Sequence, residues 1–266
     1  MSGAPVILKT RVDALRFTDA VERILGWARR RESRYVCLVN AYNVMLGRRD
    51  RQFLAATNAA DLAACDGKPL QWMQRLLGFR SAERVYGPHL MLALAEACAI
   101  ENLPVALYGG RPDTVALLVQ ALRGRFPGLQ IPVVIAPPGL PVRPDMDMEA
   151  VRRIREAGAA VVFVGLGTPK QDYWMAAHRP ALPAVMVGVG AAFDFLAGSK
   201  PQSPAWMMRC GLEWLFRLAT EPRRLWRRYL STVPAFAFLA AAQLARGLWP
   251  PKSRGGARHP AQEESQ

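Results

Sequence analysis

Acidic residues are scarce in this chain: 21 Asp and Glu stand against 35 Lys and Arg, a formal net charge of +14. The imbalance points to a polyanionic partner, whether nucleic acid, anionic lipid or a phosphorylated substrate. Aromatics interleave with arginines only near the C-terminus, and no nucleic-acid-binding motif is present, so nucleic acid is set aside. The four cysteines (Cys37, Cys65, Cys98 and Cys210) are scattered without a CxxC pair, as expected of buried, reduced thiols in a cytosolic protein. The N-terminal "MSGAPVILKTRVDAL" lacks an apolar run behind a basic one, which excludes a signal peptide there. A long apolar run is also missing. The best stretch, "TVPAFAFLAAAQLARGLW" (232–249), is interrupted by Gln243 and Arg246, whereas a spanning helix needs about 20 predominantly apolar residues. A helix lying on a surface or packed on the core is the expectation. No repeat of fixed period is found.

What is present is hydrophobic content, 51 % of residues, enough for a sizeable core. Short β-like runs (34–39, 61–65, 104–109, 130–136, 159–165 and 184–190) alternate with amphipathic helical patterns near 44–58, 68–78, 88–101, 112–125, 147–157 and 170–179. This predicts an α/β, Rossmann-like parallel sheet flanked by helices. After residue 200 the alternation stops, and a Trp-, Leu- and Arg-rich segment begins. The expected division is an α/β domain (1–200), a helical appendage (201–249) and a disordered tail (250–266). Within the appendage, Arg223, Arg224, Arg227 and Arg228 form two i, i+4 pairs on one broad helical face.

Ligands of open α/β sheets bind beyond the carboxyl ends of the strands. Asp66, in "AACDGKPLQW", stands at such an end, where a carboxylate can act as a base, hold a sugar hydroxyl, or cap the next helix. Asn40 and Asn43 open a helix after the first core strand, as caps or as a hydroxyl-binding pair. Gly109-Gly110 and Gly165-x-Gly167 form two glycine-rich turns into helices. Thr168 is the expected cap of the second, with Pro169 at its first position and Lys170-Gln171 following. Helix N-termini and close backbone approach suit phosphate, and the two turns together favour a nucleotide or sugar nucleotide. Arg84 precedes a Gly87-Pro88 turn, and His89 falls just inside a helix with a structural or surface role. Asp145-Met-Asp147 superficially matches an Asp-x-Asp metal site, but one of these acids is expected to cap the helix near Met148, and no metal is assigned.

The motifs "NAYN" (40–43), "CDGKPL", "RVYGPHLM", "YGG", "VGLGTPKQDYW", "GVGAAFDFLAGSKPQSPAWM" and "GLEWLFRLATEPRRLWRRYL" run in order from about residue 35 to 230. Together they resemble the WecG/TagA/CpsF glycosyltransferases, glycosyltransferase family 26. The resemblance implies an inverting, metal-independent transferase that needs no cofactor. It would move a sugar, N-acetylmannosamine or another hexose, from a UDP donor to a polyprenyl-diphosphate-linked sugar in cell-surface polysaccharide synthesis. The implied location is peripheral, on the cytoplasmic face of the inner membrane. It makes Asp66 the catalytic aspartate. Asn40, Asn43, Arg84, Gly109, Gly110, Gly167, Lys170, Gln171, Arg223, Arg224 and Arg227 become the substrate-binding set, and an anionic membrane surface a partner. Members often carry threonine where Leu38 stands and aspartate where His89 stands, differences that bear on acceptor contacts and sugar identity. Homo-oligomerisation is left open.

Two other readings fit the sequence less well. A non-catalytic basic protein binding anionic lipid or nucleic acid would have no use for Asp66, Asn40, Arg84 and two glycine-rich turns. A Rossmann dehydrogenase is disfavoured because neither turn reads GxGxxG with an acidic residue about 20 positions on.

Overall fold

The computed structural model describes residues 4–245. A hairpin of β1 (Val6–Ile7) and β2 (Thr10–Arg11) leads into α1 (Phe17–Arg29). The expected elements begin only at residue 34, so these are additions. The hairpin strands are two residues each, too short for a periodic signal. Helix α1 does carry one, since Ala20, Ile24, Leu25 and Ala28 form its buried stripe.

The alternation then proceeds through β3 (Arg34–Val39), α2 (Ala41–Gly47), α3 (Arg51–Asn58), β4 (Leu62–Cys65), α4 (Lys68–Leu76), α5 (Gly87–Ile100) and β5 (Val105–Gly109). It continues with α6 (Pro112–Arg125), β6 (Val133–Ile135), α7 (Met148–Glu156), β7 (Val161–Gly165), α8 (Lys170–His178), β8 (Val185–Gly188) and α9 (Ala192–Leu196). Six strands form one parallel sheet in the order β4-β3-β8-β7-β5-β6. The expected helix over 44–58 is in fact two. Asp50 stops it by accepting from the backbone N–H groups of Gln52 and Phe53, capping α3.

Successive strand residues point to opposite faces, so each strand feeds two cores. Tyr35, Cys37 and Val39 of β3 join Val162 and Val164 of β7 under α2, α4, α7 and α8. Val36 and Leu38 join Val161 and Phe163 under α1, α5 and α6. Cys37, Cys65 and Cys98 are buried free thiols, while Cys210 is exposed.

Beyond the sheet lie α10 (Ala205–Arg209), α11 (Glu213–Thr220) and α12 (Pro222–Ala245). Helix α12 passes α2 and buries Phe236 and Ala240 in the first core. It ends on the hairpin, where Gln243 accepts from Leu8 N and donates to Val6 O, each at 2.9 Å. Its distal half is therefore packed on the α/β core and the hairpin. Among the described residues no helix is long and apolar enough to cross a membrane. Arg246, Trp249 and the 250–266 tail lie outside the described residues.

Candidate active site

Parallel strands bring Asn40, Asp66, Gly109 and Gly165 to one edge of the sheet, because each ends or follows a strand running in the same direction. Asp66 continues the β4 pairing by donating its N–H to Val39 O at 2.8 Å. Gly67 lets the two neighbouring turns touch: a Cβ there would lie 3.3 Å from the Asn40 Cβ. Asn40 caps α2, its Oδ1 accepting from Tyr42 N and Asn43 N at 3.0 and 3.4 Å. The capping reading of Asn40 is thus realised, without excluding its free amide group from ligand contact. Asn43 is buried and donates to Thr168 Oγ1 at 3.3 Å, joining the first turn to the third.

Arg84 reaches this edge because Val85 N donates to Cys65 O at 2.7 Å, extending the strand end by one hydrogen bond. Its Nε donates to the Asp66 carbonyl. Its Nη2 sits 3.6 Å from Asp66 Oδ1 and 2.5 Å from Glu213 Oε2, so α11 is tied directly to the Asp66 turn. Burial pushes the Asp66 carboxyl up to about 6, with Arg84 pulling it down and Glu213 adding to the rise. Asp66 Oδ1 is buried and accepts no hydrogen bond within the protein, although the side chain keeps partial access to solvent. Such a carboxylate, ionised at neutral pH but still basic, suits proton abstraction from a hydroxyl.

Cations arrive from the appendage. Arg217 pairs with Glu213 at 3.4 Å and lies 5.0 Å from the Phe195 ring centroid. Arg228 lies 3.6 Å over the Tyr42 ring. Its Nε is buried without a hydrogen-bond partner, and burial lowers its pKa. The four arginines expected on one shared face therefore divide. Arg223, Arg224 and Arg227 are exposed, Arg224 bonding Glu221 at 2.6 Å and Arg227 lying over Trp226, while Arg228 is partly buried. A broad helical face spans both solvent and protein, and only packing against Tyr42 divides it.

The remaining glycine-turn residues have differing roles. A Cβ at Gly109 would meet the Gly165 carbonyl carbon at 2.8 Å, and one at Gly110 would meet Val115 at 2.7 Å. Around Gly167 the corresponding space is open. Gln171 Oε1 accepts from Gly167 N at 3.0 Å and shapes that turn, and Lys170 Nζ donates to the Leu140 carbonyl. The expected Thr168 cap is corrected. The Thr168–Pro169 bond is cis, Pro169 is the N-cap, and the helix starts at Lys170. The Thr168 hydroxyl instead receives Asn43 and faces the buried Asp172, which also adjoins the Cys37 thiol. Asp147 caps α7, accepting from Ala150 N at 3.0 Å. His89 stands edge-on to Tyr86, ring centroids 5.1 Å apart.

The sequence reading leaves Glu213, Arg217, Tyr42 and Arg228 out of the candidate site, and assigns substrate contacts to Arg223, Arg224 and Arg227 instead. The Glu213-Arg217 spacing is i, i+4, a signal that was available. The stacking of Arg228 on Tyr42 joins residues 186 positions apart and had none.

The chain resembles two enzymes named N-acetylglucosaminyldiphosphoundecaprenol N-acetyl-beta-D-mannosaminyltransferase. One, from Bacillus subtilis (strain 168), is 29% identical over 191 residues, covering 71% of this chain and 72% of the relative. The other, from Bacillus spizizenii (strain ATCC 23059 / NRRL B-14472 / W23), is 30% identical over 182 residues, covering 68% of each. The family model described as Glycosyl transferase WecG/TagA/CpsF family matches residues 5–249, across the sheet, the Asp66 edge and the appendage that supplies Glu213 and Arg228, so the chain belongs to that family of glycosyltransferases.

Proposed function

We propose that this glycosyltransferase moves N-acetylmannosamine or another hexose from a UDP donor to a polyprenyl-diphosphate-linked sugar, with inversion and without a metal. The observation that carries the proposal is the Asp66 carboxyl, partly buried at the sheet edge, its Oδ1 accepting no hydrogen bond within the described protein and Arg84 at 3.6 Å. Asp66 takes the proton of the acceptor hydroxyl as its oxygen attacks the anomeric carbon. The bond from that carbon to the diphosphate oxygen breaks, and UDP leaves with the bonding pair. One displacement inverts the centre.

The departing charge must be met by fixed positive groups. Arg228 fits this role, since among the described residues no acidic group pairs with its guanidinium, which Tyr42 holds beside α2. Arg84 is already committed to Glu213 and the Asp66 carbonyl, which assigns it to holding the base. Asn40, Asn43, Gly167, Lys170 and Gln171 would line the sugar and nucleotide positions, with Gly109 and Gly110 keeping the adjoining turn close-packed. Arg223, Arg224 and Arg227 stand on the exposed side of α12, where they suit an anionic membrane surface. On this reading residues 1–200 carry the base and most substrate contacts, while 201–249 add Arg228 to the site and bring the enzyme to the cytoplasmic face of the membrane.

The test is incubation of the purified chain with lipid-linked N-acetylglucosamine and a panel of UDP-sugars, with product identified by mass and anomeric configuration. One donor should be consumed and yield the inverted linkage. No product with any donor, together with vesicle binding, would favour a non-catalytic basic protein instead.

A further inference from the structure

Helix α4 is mixed in polarity on both faces. Its buried face carries Gln71 and Gln74 beside Leu70 and Met73. Their amide nitrogens are bonded inward, Gln71 Nε2 donating to Ala82 O at 3.0 Å and Gln74 Nε2 to Val12 O and Asp13 O at 3.0 and 3.2 Å. The outward face carries Trp72, 46% exposed, and Leu76, 70% exposed, at i, i+4 spacing with the exposed Arg75 between them. An ordinary surface helix keeps such large apolar side chains on its buried face.

This face does not stand alone. A Cβ on Gly211 would lie 2.7 Å from the Trp72 ring, so α4 abuts the turn between α10 and α11. Helix α10 adds Trp206, 55% exposed, and the exposed Arg209. Neither helix contains an acidic residue, and Arg80 extends the basic rim past the end of α4. Large apolar side chains with a cationic rim, on two helices that hold no acidic residue, match an anionic bilayer: rings enter the interface while guanidinium groups meet lipid phosphates. The face also adjoins the site, since α4 starts two residues after Asp66 and Trp72 lies about 6 Å along it.

We propose that the exposed face of α4, with Trp206 and Arg209 of α10, is a second membrane-contact surface, contributed by the catalytic domain itself and seated on anionic lipid. It would place the Asp66 edge close above the bilayer, so that a lipid-linked acceptor could present its sugar while its chain stays in the membrane. That last step rests on the acceptor reading given above, but the surface does not.

The experiment is flotation of the full chain with vesicles of phosphatidylglycerol and phosphatidylcholine, against vesicles of phosphatidylcholine alone. Trp72→Ser/Leu76→Gln should weaken binding to the anionic vesicles about 10-fold or more. Because Trp72 packs on Gly211, a second variant at exposed positions, Arg75→Glu/Arg80→Glu, guards against misfolding, and thermal melting checks both. It should weaken anionic binding by a similar factor and leave the neutral vesicles unaffected. Transfer to a water-soluble, short-chain acceptor should stay at the parent's rate in both variants. Parental flotation by both variants overturns the proposal. So does a change confined to oligomeric state in sedimentation, which would make the face a contact with a second copy. Loss of flotation with no transfer by any form would leave the surface standing and remove the acceptor reading.

Discussion

Glu213 Oε2 lies 2.5 Å from Arg84 Nη2, and the same guanidinium lies 3.6 Å from Asp66 Oδ1. Two carboxylates thus share one arginine, one from the sheet edge and one from the appendage. Buried charge pairs of this kind are costly to break singly, because the partner is left uncompensated. Glu213→Gln should therefore free Arg84 to pair fully with Asp66 and remove a negative charge from its vicinity. The Asp66 pKa should fall, the acid limb of kcat/KM should move to lower pH, and turnover should drop about 10-fold as the base weakens. An unmoved limb would show that Glu213 does not act on Asp66.

The parent enzyme should itself show an acid limb near pH 6. Burial raises Asp66 to about that value, and a carboxylate acting as the proposed base must be ionised to accept a proton. Activity should be full above pH 7 and fall tenfold per unit below the pKa. The kcat/KM profile for the lipid-linked acceptor measures this.

Asp66→Asn should retain the fold and UDP binding but lose about 100-fold or more in turnover, the usual range for a general base. Single-turnover rates and UDP titration report the two properties separately. Near-normal turnover would return Asp66 to a positioning role.

The two glycine turns should respond differently to alanine. At Gly109, φ is +106° and a Cβ would press on the Gly165 backbone, so Gly109→Ala should lower the melting temperature sharply. At Gly167, φ is +76° but the space is open, so Gly167→Ala should cost only about 1 kcal/mol of stability. Its larger effect should be on KM for the donor, measured by steady-state kinetics.

Asp172 is fully buried, and burial raises its carboxyl to about 6. A carboxyl raised on folding favours the fold below its unfolded pKa, and that contribution is lost as pH rises through the folded value. Asp172→Asn should thus be more stable than the parent at pH 8 by about 2–3 kcal/mol, the equivalent of a two-unit shift. The advantage should vanish near pH 4. Chemical denaturation at both pH values tests the sign.

Much of this protein is legible in one dimension. Strand β3 and helix α6 follow from apolar runs and from helical periodicity behind Pro112, since both signals arise from neighbours in the chain. The placement of Asp66, Asn40 and the glycine turns at one edge also follows, because alternating strands and helices force parallel pairing and so align the strand ends. Tertiary structure alone decided which charges meet. Arg84 and Glu213 are 129 positions apart, and Tyr42 and Arg228 lie still further apart, so no local pattern relates them. Nor could periodicity show that α4 turns its glutamines inward. Their polarity suggests solvent until the carbonyls of Val12, Asp13 and Ala82 are brought beneath them. The chain itself supplies the elements and the chemistry at their ends. The pairing of buried charges depends on distances that exist only once the appendage has folded back across the sheet.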